Sequence, residues 1–186
     1  MKLILASQSP RRLELIKLLD MEFEAISPNI EEINDLSLSH EELVMDLAFQ
    51  KALAVFKLRK DDLVLGFDTL VIINDLILGK PKSKEEAKYF LQTLSGKTHR
   101  VLTGCAIITK GYSKSFYTES KVTFWDVTDK EIDEYILTKE PMDKAGAYGI
   151  QDHGARFVKS ISGDYFTIVG FPVSRLYQEL KKVLKG

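Results

Sequence analysis

The alternation of apolar and polar residues along the chain predicts a mixture of strands and helices. Short apolar runs between turn residues are typical of buried strands, and apolar residues spaced three and four apart mark one face of a helix. The runs predicted as strands are KLILA, FEAIS, the strand-rich stretch LVLGFDTLVIINDLILGKP, RVLTGCAIIT and SFYTESKVTFW. Two hairpins are predicted: one turns at Asn74-Asp75, and the other joins ARFVKSI to YFTIVGF around Ser162-Gly163-Asp164.

Helix starts are marked by capping residues and by proline. Serine or threonine followed three residues later by glutamate has the spacing of a capping box, and proline suits the first helical position. The predicted starts are Ser9-Pro10, Ser39 with Glu42, Ser83 with Glu86, Thr128 with Glu131, and the residues after Pro172. The helix from Ser39 is predicted to run to about Arg59. The residues predicted to face inward are Val44, Leu47, Lys51, Val55 and Leu58, then Ala87, Phe90, Leu91 and Leu94, then Ile132, Tyr135 and Ile136, and finally Val173, Leu176, Leu180 and Leu184.

Strand–helix units next to hairpins favour an α/β fold in which a mixed, twisted sheet is flanked by helices. The segment EPMDKAGAYGIQDHG has three glycines and little periodicity, so it is predicted to be a structured loop. At 186 residues the chain is predicted to form a single domain, residues 1–186.

Composition and charge narrow the class of protein. Hydrophobic residues make up 45% and charged residues 28%, as in ordinary soluble globular proteins. The net charge of −1 argues against an extended nucleic-acid-binding surface, although a local cationic pocket stays open. The single Cys105 excludes an internal disulfide and fits a reducing compartment. No apolar run is long enough for a membrane span or a secretory signal, so we expect a cytoplasmic protein without a membrane partner. From the net charge we also expect no nucleic-acid partner.

Two charged residues break their local apolar pattern. Asp68 lies inside the run LVLGFDTLVII, where an unpaired buried carboxylate is costly. It is either a strand-end aspartate bound to backbone amides or a functional general base or metal ligand. Lys51 lies on the inward stripe of its predicted helix, so its ammonium group either reaches out to water or binds an anion in a cleft.

Other charged residues lie in predicted loops. Lys80 follows a strand in the turn LGKP, where Gly79 permits close approach of a ligand, although exposed turn lysines are common. Glu31 and Glu32 lie in an acidic loop that is either solvated or close to Asp68. In the second case a carboxylate from the loop would complete a magnesium site, since Mg²⁺ favours one or two carboxylates together with substrate phosphates.

Arg11 and Arg12 stand in the first turn of a predicted helix, where cations are mildly unfavourable. Either they bend away into water or an anion lies there. A strand, a turn and a helix amino terminus form a ready phosphate site, and Ser7 adds a hydroxyl donor. Cationic side chains can bind a polyphosphate, and carboxylates can bind a metal ion and activate a water molecule. Together these groups suit phosphoryl chemistry. The chain lacks a Walker-type glycine-rich loop, so a P-loop enzyme is not expected.

Three segments resemble the signature blocks of the Maf (septum formation) family. They are LILASQSPRRLELI, GFDTLVIINDLILGKPKSKEEAKYFLQTLSGKTHRVLTG and EPMDKAGAYGIQDHGARFVKSISGDYFTIVGFP, and together they span nearly the whole chain. The resemblance implies the inosine-triphosphatase-like fold with a central cleft between two lobes. It also implies a homodimeric nucleoside triphosphate pyrophosphatase that uses a divalent metal, Mg²⁺ or Mn²⁺, and releases a monophosphate and pyrophosphate.

Position by position, the resemblance makes Asp68 the proton acceptor for the attacking water. It makes Arg11, Thr69 and Gln151 the specificity positions. As a hypothesis, Asp68, Glu31 or both hold the metal together with phosphate oxygens. The further polar positions expected to line the cleft are Ser7, Arg12, Glu31, Lys51 and Lys80. SPRR, Asp-Thr and Gly-Ile-Gln together resemble the branch that prefers dTTP and UTP.

Two departures from the family pattern are Phe67, where alanine is usual, and Asp152-His153, where a glycine-containing pair is usual. Phe67 is expected to tighten or tilt the position of Asp68. Two other functions stay open at this point: a non-catalytic nucleotide-binding regulator of cell division, and a house-cleaning pyrophosphatase directed to purine nucleotides.

Overall fold

Seven strands and six α-helices follow one another along residues 1–185, the part of the chain that a computed structural model describes. The strands are β1 (Leu3–Ala6), β2 (Phe23–Ala25), β3 (Leu63–Ile73), β4 (Leu76–Leu78), β5 (Thr98–Thr109), β6 (Tyr112–Phe124) and β7 (Val158–Ser162). The helices are α1 (Pro10–Leu15), α2 (His40–Phe56), α3 (Lys84–Leu94), α4 (Asp129–Leu137), α5 (Tyr165–Val169) and α6 (Val173–Lys185). None of these described helices is both long enough and apolar enough to cross a membrane.

The strands form one mixed sheet in the order β2-β1-β3-β5-β6-β7, with β4 paired to β3. Strand β1 runs parallel to both β2 and β3, whereas β3–β4 and β6–β7 are antiparallel pairs. The hairpin at Asn74-Asp75 is confirmed: both residues have positive φ, 47° and 62°, as a two-residue turn between twisted strands requires. The sheet and its helices confirm the predicted α/β class.

The chain divides into two compact units. The first unit contains Met1–Asp68, Thr103–Thr118 and the chain from Gly170 onward. The second unit contains Thr69–Leu102 and Glu119–Val169. Asp68 is therefore the last residue of the first stretch of the first unit.

Helix α2 packs closely on the sheet in the first unit because two strands carry glycine where the helix lies. A Cβ atom on Gly66 of β3 would overlap the carbonyl oxygen of Ala48, and one on Gly104 of β5 would overlap that of Val44. The apolar residues buried around this contact are Ile4, Ala6, Ala48, Ala52, Val55, Val64, Ala106 and Ile108. Backbone contact brings the helix near enough for its side chains to reach polar atoms on β3.

The helix starts are largely as predicted. Ser39 with Glu42 and Thr128 with Glu131 form complete capping boxes, and Ser83 accepts a hydrogen bond from the Glu86 amide. Helix α1 begins at Pro10 as predicted, but the Ser9 side chain accepts no capping bond from the described residues. Helix α2 ends at Phe56 rather than near Arg59.

Most of the predicted inward positions are buried, with two clear exceptions. Leu58 lies beyond the end of α2 and is 73% exposed, so its inclusion in the buried stripe was wrong. Leu184, in the last turn of α6, is 47% exposed, so its predicted inward orientation was also wrong. In both cases the apolar spacing continues into the end of a helix or past it, where the side chain is exposed.

The predicted hairpin around Ser162-Gly163-Asp164 is wrong. Strand β7 pairs with β6, and the segment after the turn is helix α5. The Asp164 carboxylate accepts hydrogen bonds from the amides of Phe166 and Thr167, both at 3.1 Å, and so satisfies donors at the start of α5. This cap stabilises a helix in a segment whose aromatic and β-branched residues are typical of a strand.

The core of the second unit is aromatic and includes a buried histidine. His99 on β5 is only 2% exposed, and its Nε2 lies 2.8 Å from the hydroxyl of Tyr148. Its ring meets those of Phe124 and Tyr148 edge to face. Burial lowers the pKa of His99 to about 4, because the charged imidazolium is poorly solvated there.

This histidine makes the fold acid-sensitive. The unfolded chain binds a proton at His99 below about pH 6.5, whereas the folded chain resists doing so until about pH 4. The stabilisation from neutral His99 is therefore complete above about pH 6.5 and declines as the pH falls, by about 3 kcal/mol in total. We expect His99→Phe to flatten the pH dependence of the unfolding free energy between pH 6.5 and 4. Urea unfolding at stepped pH checks this, with His40→Gln as the control. A His99→Phe slope equal to that of the wild type would contradict the expectation.

Candidate active site

The parallel pairing of β1 with β3 brings the end of one strand beside the middle of the other. Leu3 pairs with Leu63 and Ala6 with Gly66, so β1 ends level with the residues just before Asp68. Ser7 follows β1, is buried, and its Oγ accepts a hydrogen bond from the Ser9 amide at 3.1 Å. The carboxyl ends of parallel strands are where open α/β sheets bind ligands.

Asp68 is paired with a lysine from α2. Its Oδ1 lies 2.5 Å from Nζ of Lys51, and the side chains are only 14% and 13% exposed. The same ammonium group lies 3.1 Å from Oε1 of Glu32. Lys51 therefore binds two carboxylates of its own chain, which resolves whether it reaches out to water.

Arg12 is fixed beside the same strand. Its Nε donates to the carbonyl of Gly170 at 3.0 Å and its Nη1 to the carbonyl of Phe67 at 3.2 Å. The guanidinium carbon lies 5.7 Å from the centre of the Phe67 ring, which packs in turn on Phe171. Phe67, one of the departures from the family pattern, thus forms the apolar support under Arg12.

Burial dominates the electrostatics of this site. It raises the pKa of the Asp68 carboxyl above its usual value, although the charges of Lys51 and Arg12 offset part of the rise. Burial likewise lowers the pKa of Arg12, and the charge of Asp68 acts against it. A guanidinium group titrates so far above neutrality that Arg12 keeps its charge. A carboxylate with a raised pKa is a stronger base than an exposed aspartate.

Comparison with known proteins adds a family to this geometry. Residues 2–183 match the model of the family described as Maf-like protein. The chain belongs to the Maf-like protein family.

Similar curated relatives carry the name dTTP/UTP pyrophosphatase. The one from Bacillus cereus (strain AH187) is 53% identical over 97% of this chain and 95% of its own length. The one from Bacillus cytotoxicus is 51% identical over 100% of this chain and 97% of its own length.

The fold of this Maf-like protein is shared with solved structures of low sequence identity. A Staphylococcus aureus Ham1 protein superposes with a TM-score of 0.59 at 13% identity, covering 98% of this chain and 99% of its own. A HAM1 protein from Coxiella burnetii superposes with a TM-score of 0.56 at 14% identity, covering 100% of this chain and 98% of its own. At such identities the likeness concerns the fold alone, and it agrees with the predicted fold class.

The predicted site residues fall into two groups in this Maf-like protein. The contacts described above bring together Arg12, Lys51 and Asp68, with Ser7 at the adjacent strand end. Glu32, rather than Glu31, contacts Lys51, although both glutamates are exposed. Two adjacent glutamates in a loop show no periodicity, so their sequence positions do not tell which one contacts Lys51. The remaining predicted residues are half-buried Arg11, half-buried Thr69 directly after Asp68, and exposed Lys80 and Gln151 in the second unit.

The Asp152-His153 pair, the second departure from the family pattern, makes contacts within the second unit. Nδ1 of His153 lies 3.0 Å from Oε2 of Glu140, and Oδ2 of Asp152 lies 3.7 Å from Nζ of buried Lys144. Both residues follow Gln151 in the chain, and their contacts connect this part of the chain to the loop that contains Glu140 and Lys144.

The acidic residues of the first unit suit a metal ion whose other ligands are substrate phosphate oxygens and water. Asp68 and Glu32 present two carboxylates to one cationic group, Lys51. Among residues 1–185 no cluster of three histidine, cysteine or acidic side chains has the arrangement of a self-sufficient metal site. Mg²⁺ needs only one or two carboxylates when phosphate oxygens and water complete its shell.

Proposed function

We propose that this Maf-like protein hydrolyses dTTP and UTP to the nucleoside monophosphate and pyrophosphate. The observation that carries the proposal is the half-buried carboxylate of Asp68, held by Lys51 beside the anchored guanidinium of Arg12. Relatives that are 51–53% identical over nearly the whole chain are named dTTP/UTP pyrophosphatase, and this supports the choice of substrates.

The chemistry assigned to Asp68 is general base catalysis. Its carboxylate accepts a proton from water as the water oxygen bonds to the α-phosphorus. The bond to the bridging oxygen then breaks, and pyrophosphate leaves with the electron pair. Lys51 holds the carboxylate in one orientation through its 2.5 Å contact. Negative charge grows on the leaving oxygen, so the cationic residues Arg12 and Lys80 are assigned to the phosphates.

A divalent cation, Mg²⁺ or Mn²⁺, fits the acidic residues of the first unit. Asp68 would hold it together with Glu31 or Glu32, and it would supply charge neutralisation for the triphosphate. Glu32 is favoured over Glu31 as the second carboxylate because it already lies 3.1 Å from the Lys51 ammonium.

Recognition of the base is assigned to Arg11, Thr69 and Gln151. The amide of Gln151 and the hydroxyl of Thr69 carry both donors and acceptors, as the edge of a pyrimidine requires. The expected cytoplasmic location and the homodimer stay predictions. The net charge of −1 supports a protein without nucleic-acid partners.

A panel of nucleotides tests the proposed function. We expect pyrophosphate release in the presence of Mg²⁺ to be fastest with dTTP and UTP and much slower with CTP, GTP, ATP and ITP. Release that is fastest with GTP or ITP would instead favour the purine-directed house-cleaning enzyme. Nucleotide binding without any hydrolysis would favour the regulator.

A further inference from the structure

Gln151 is exposed, yet the turn that carries it is anchored at both ends. We call residues 149–154 the Gln151 turn. Gly149 and Gly154, which bound this turn, are buried, whereas Gln151, Asp152 and His153 between them are exposed. An exposed glutamine on a loose turn samples many orientations, and fixing it during binding costs free energy. The way the ends are held therefore bears on how Gln151 acts.

Both ends of the turn converge on one hydroxyl group. Tyr135 of α4 is fully buried, and its Oη accepts a hydrogen bond from the Gly149 amide at 3.2 Å. At the other end, a Cβ atom on Gly154 would lie 2.8 Å from that Oη and 2.8 Å from the carbonyl oxygen of Gly149. Only glycine leaves room at residue 154 for the two ends to close around the tyrosine.

Glu140 accepts hydrogen bonds both from the Tyr135 hydroxyl and from His153, near the end of the Gln151 turn. Its Oε1 accepts from Tyr135 Oη at 2.6 Å, and its Oε2 accepts from the amide and Nδ1 of His153 at 3.2 and 3.0 Å. Its side chain is 10% exposed. Burial acts to raise the pKa of Glu140, but the hydrogen bonds from Tyr135, His153 and Gly154 outweigh it and hold that pKa below its usual value. The group is therefore an ionised acceptor at neutral pH.

We propose that Tyr135 and Glu140 position Gln151 for recognition of the pyrimidine, without themselves contacting the nucleotide. This inference rests on the proposed function, because it gives Gln151 the specificity role assigned there. The Tyr135–Glu140 pair fixes the backbone on both sides of an otherwise exposed amide. An amide held in one orientation presents its donor and its acceptor to one edge of one base.

A purely structural role is the competing explanation, since the Tyr135 ring also packs edge to face on Phe157 with centroids 5.1 Å apart. The two explanations differ in what a hydroxyl deletion does. Tyr135→Phe keeps the ring and removes Oη. A loss of structure lowers activity on all nucleotides alike, whereas a loss of positioning lowers the preference for UTP over CTP.

The experiment compares kcat/KM for UTP and CTP in the full-length protein and its variants. We expect Tyr135→Phe to reduce the UTP-to-CTP ratio by about five- to tenfold, the loss typical of one well-made hydrogen bond. Glu140→Gln should act in the same direction, because its NH₂ group faces N–H donors. Ile132→Val, one turn earlier on α4 and fully buried, removes one methyl group from the same core and should leave the ratio unchanged.

The dependence on Gln151 is tested in the same assay. Gln151→Ala should lower the ratio, and adding Tyr135→Phe to it should lower it no further, since positioning matters only when the amide is present. Equal losses for UTP and CTP in both Tyr135→Phe and Glu140→Gln would overturn the inference, as would losses that add to that of Gln151→Ala. If Gln151→Ala alone lowers the ratio, the proposed function stands even when the inference fails. If the wild type hydrolyses neither nucleotide, both fail together.

Discussion

We expect Asp68→Asn to lower kcat for pyrophosphate release from dTTP and UTP by about 10³-fold. The amide keeps the size of the carboxylate and still accepts a hydrogen bond from Lys51, but it cannot take a proton from water. The fold should persist, because burial already opposes the charged form of Asp68. Steady-state kinetics on dTTP, with thermal unfolding measured on the same samples, checks both expectations.

Asp62→Asn supplies a matched control in the same unit. Asp62 just precedes β3 and pairs with Arg59 and with the backbone amide of Lys2. Both replacements turn an ion-paired aspartate into an amide, but only one removes the assigned base. Wild-type rates in Asp62→Asn would link the loss to Asp68 rather than to charge in general. Activity above a tenth of wild type in a folded Asp68→Asn protein would remove Asp68 from the role of base.

Gly66→Ala is expected to impair stability and activity together. The new methyl group would overlap the backbone oxygen of Ala48 and lie 2.7 Å from the backbone nitrogen of Ala52, neither of which is a flexible side chain. Helix α2 must then move away from β3, at a cost of about 3 kcal/mol or more. Lys51 lies on α2 and Asp68 on β3, so the movement also separates the pair that orients the proposed base. For a chain of this size the melting temperature should fall by about 6–12 °C.

Gly79→Ala is the control for this replacement. A Cβ atom at Gly79 meets nothing within 4 Å, and its backbone lies outside the left-handed region. The melting temperature of Gly79→Ala should therefore stay close to that of wild type. Equal melting temperatures for the Gly66→Ala protein and the wild type would show that α2 does not depend on backbone contact with β3.

Local signals predicted the elements that depend on local chemistry. The capping boxes at Ser39 and Thr128 and the two-residue turn at Asn74-Asp75 involve residues within a few positions of one another. Hydrogen bonds of this range are available to the chain before any tertiary packing forms. The segment after Gly163 shows the limit, because there a strand-like composition competes with an aspartate cap, and the cap stabilises helix α5.

The sequence offers candidate site residues, but it does not identify the residues that contact them. Asp68 and Lys51 were singled out because each puts a charge into an apolar pattern, and such a charge needs a partner. The pattern does not say which partner. Arg12 was assigned to phosphate from its place at a helix start, whereas the structure shows that it also anchors the carbonyls of Phe67 and Gly170. Gly170 lies 158 residues after Arg12 in the chain, so the periodicity of the sequence cannot predict this contact.

By itself the sequence determined the α/β class, most of the helix starts and the chemical groups available to the site, since these follow from periodicity, capping and side-chain type. Only the tertiary structure decided that Lys51 bridges Asp68 and Glu32, and that Tyr135 closes the turn bearing Gln151. The first depends on glycines in two strands that admit α2 to backbone contact, and the second on a glycine that leaves room for a hydroxyl. Each is a distance between residues that lie on different elements, and only the folded backbone sets such a distance.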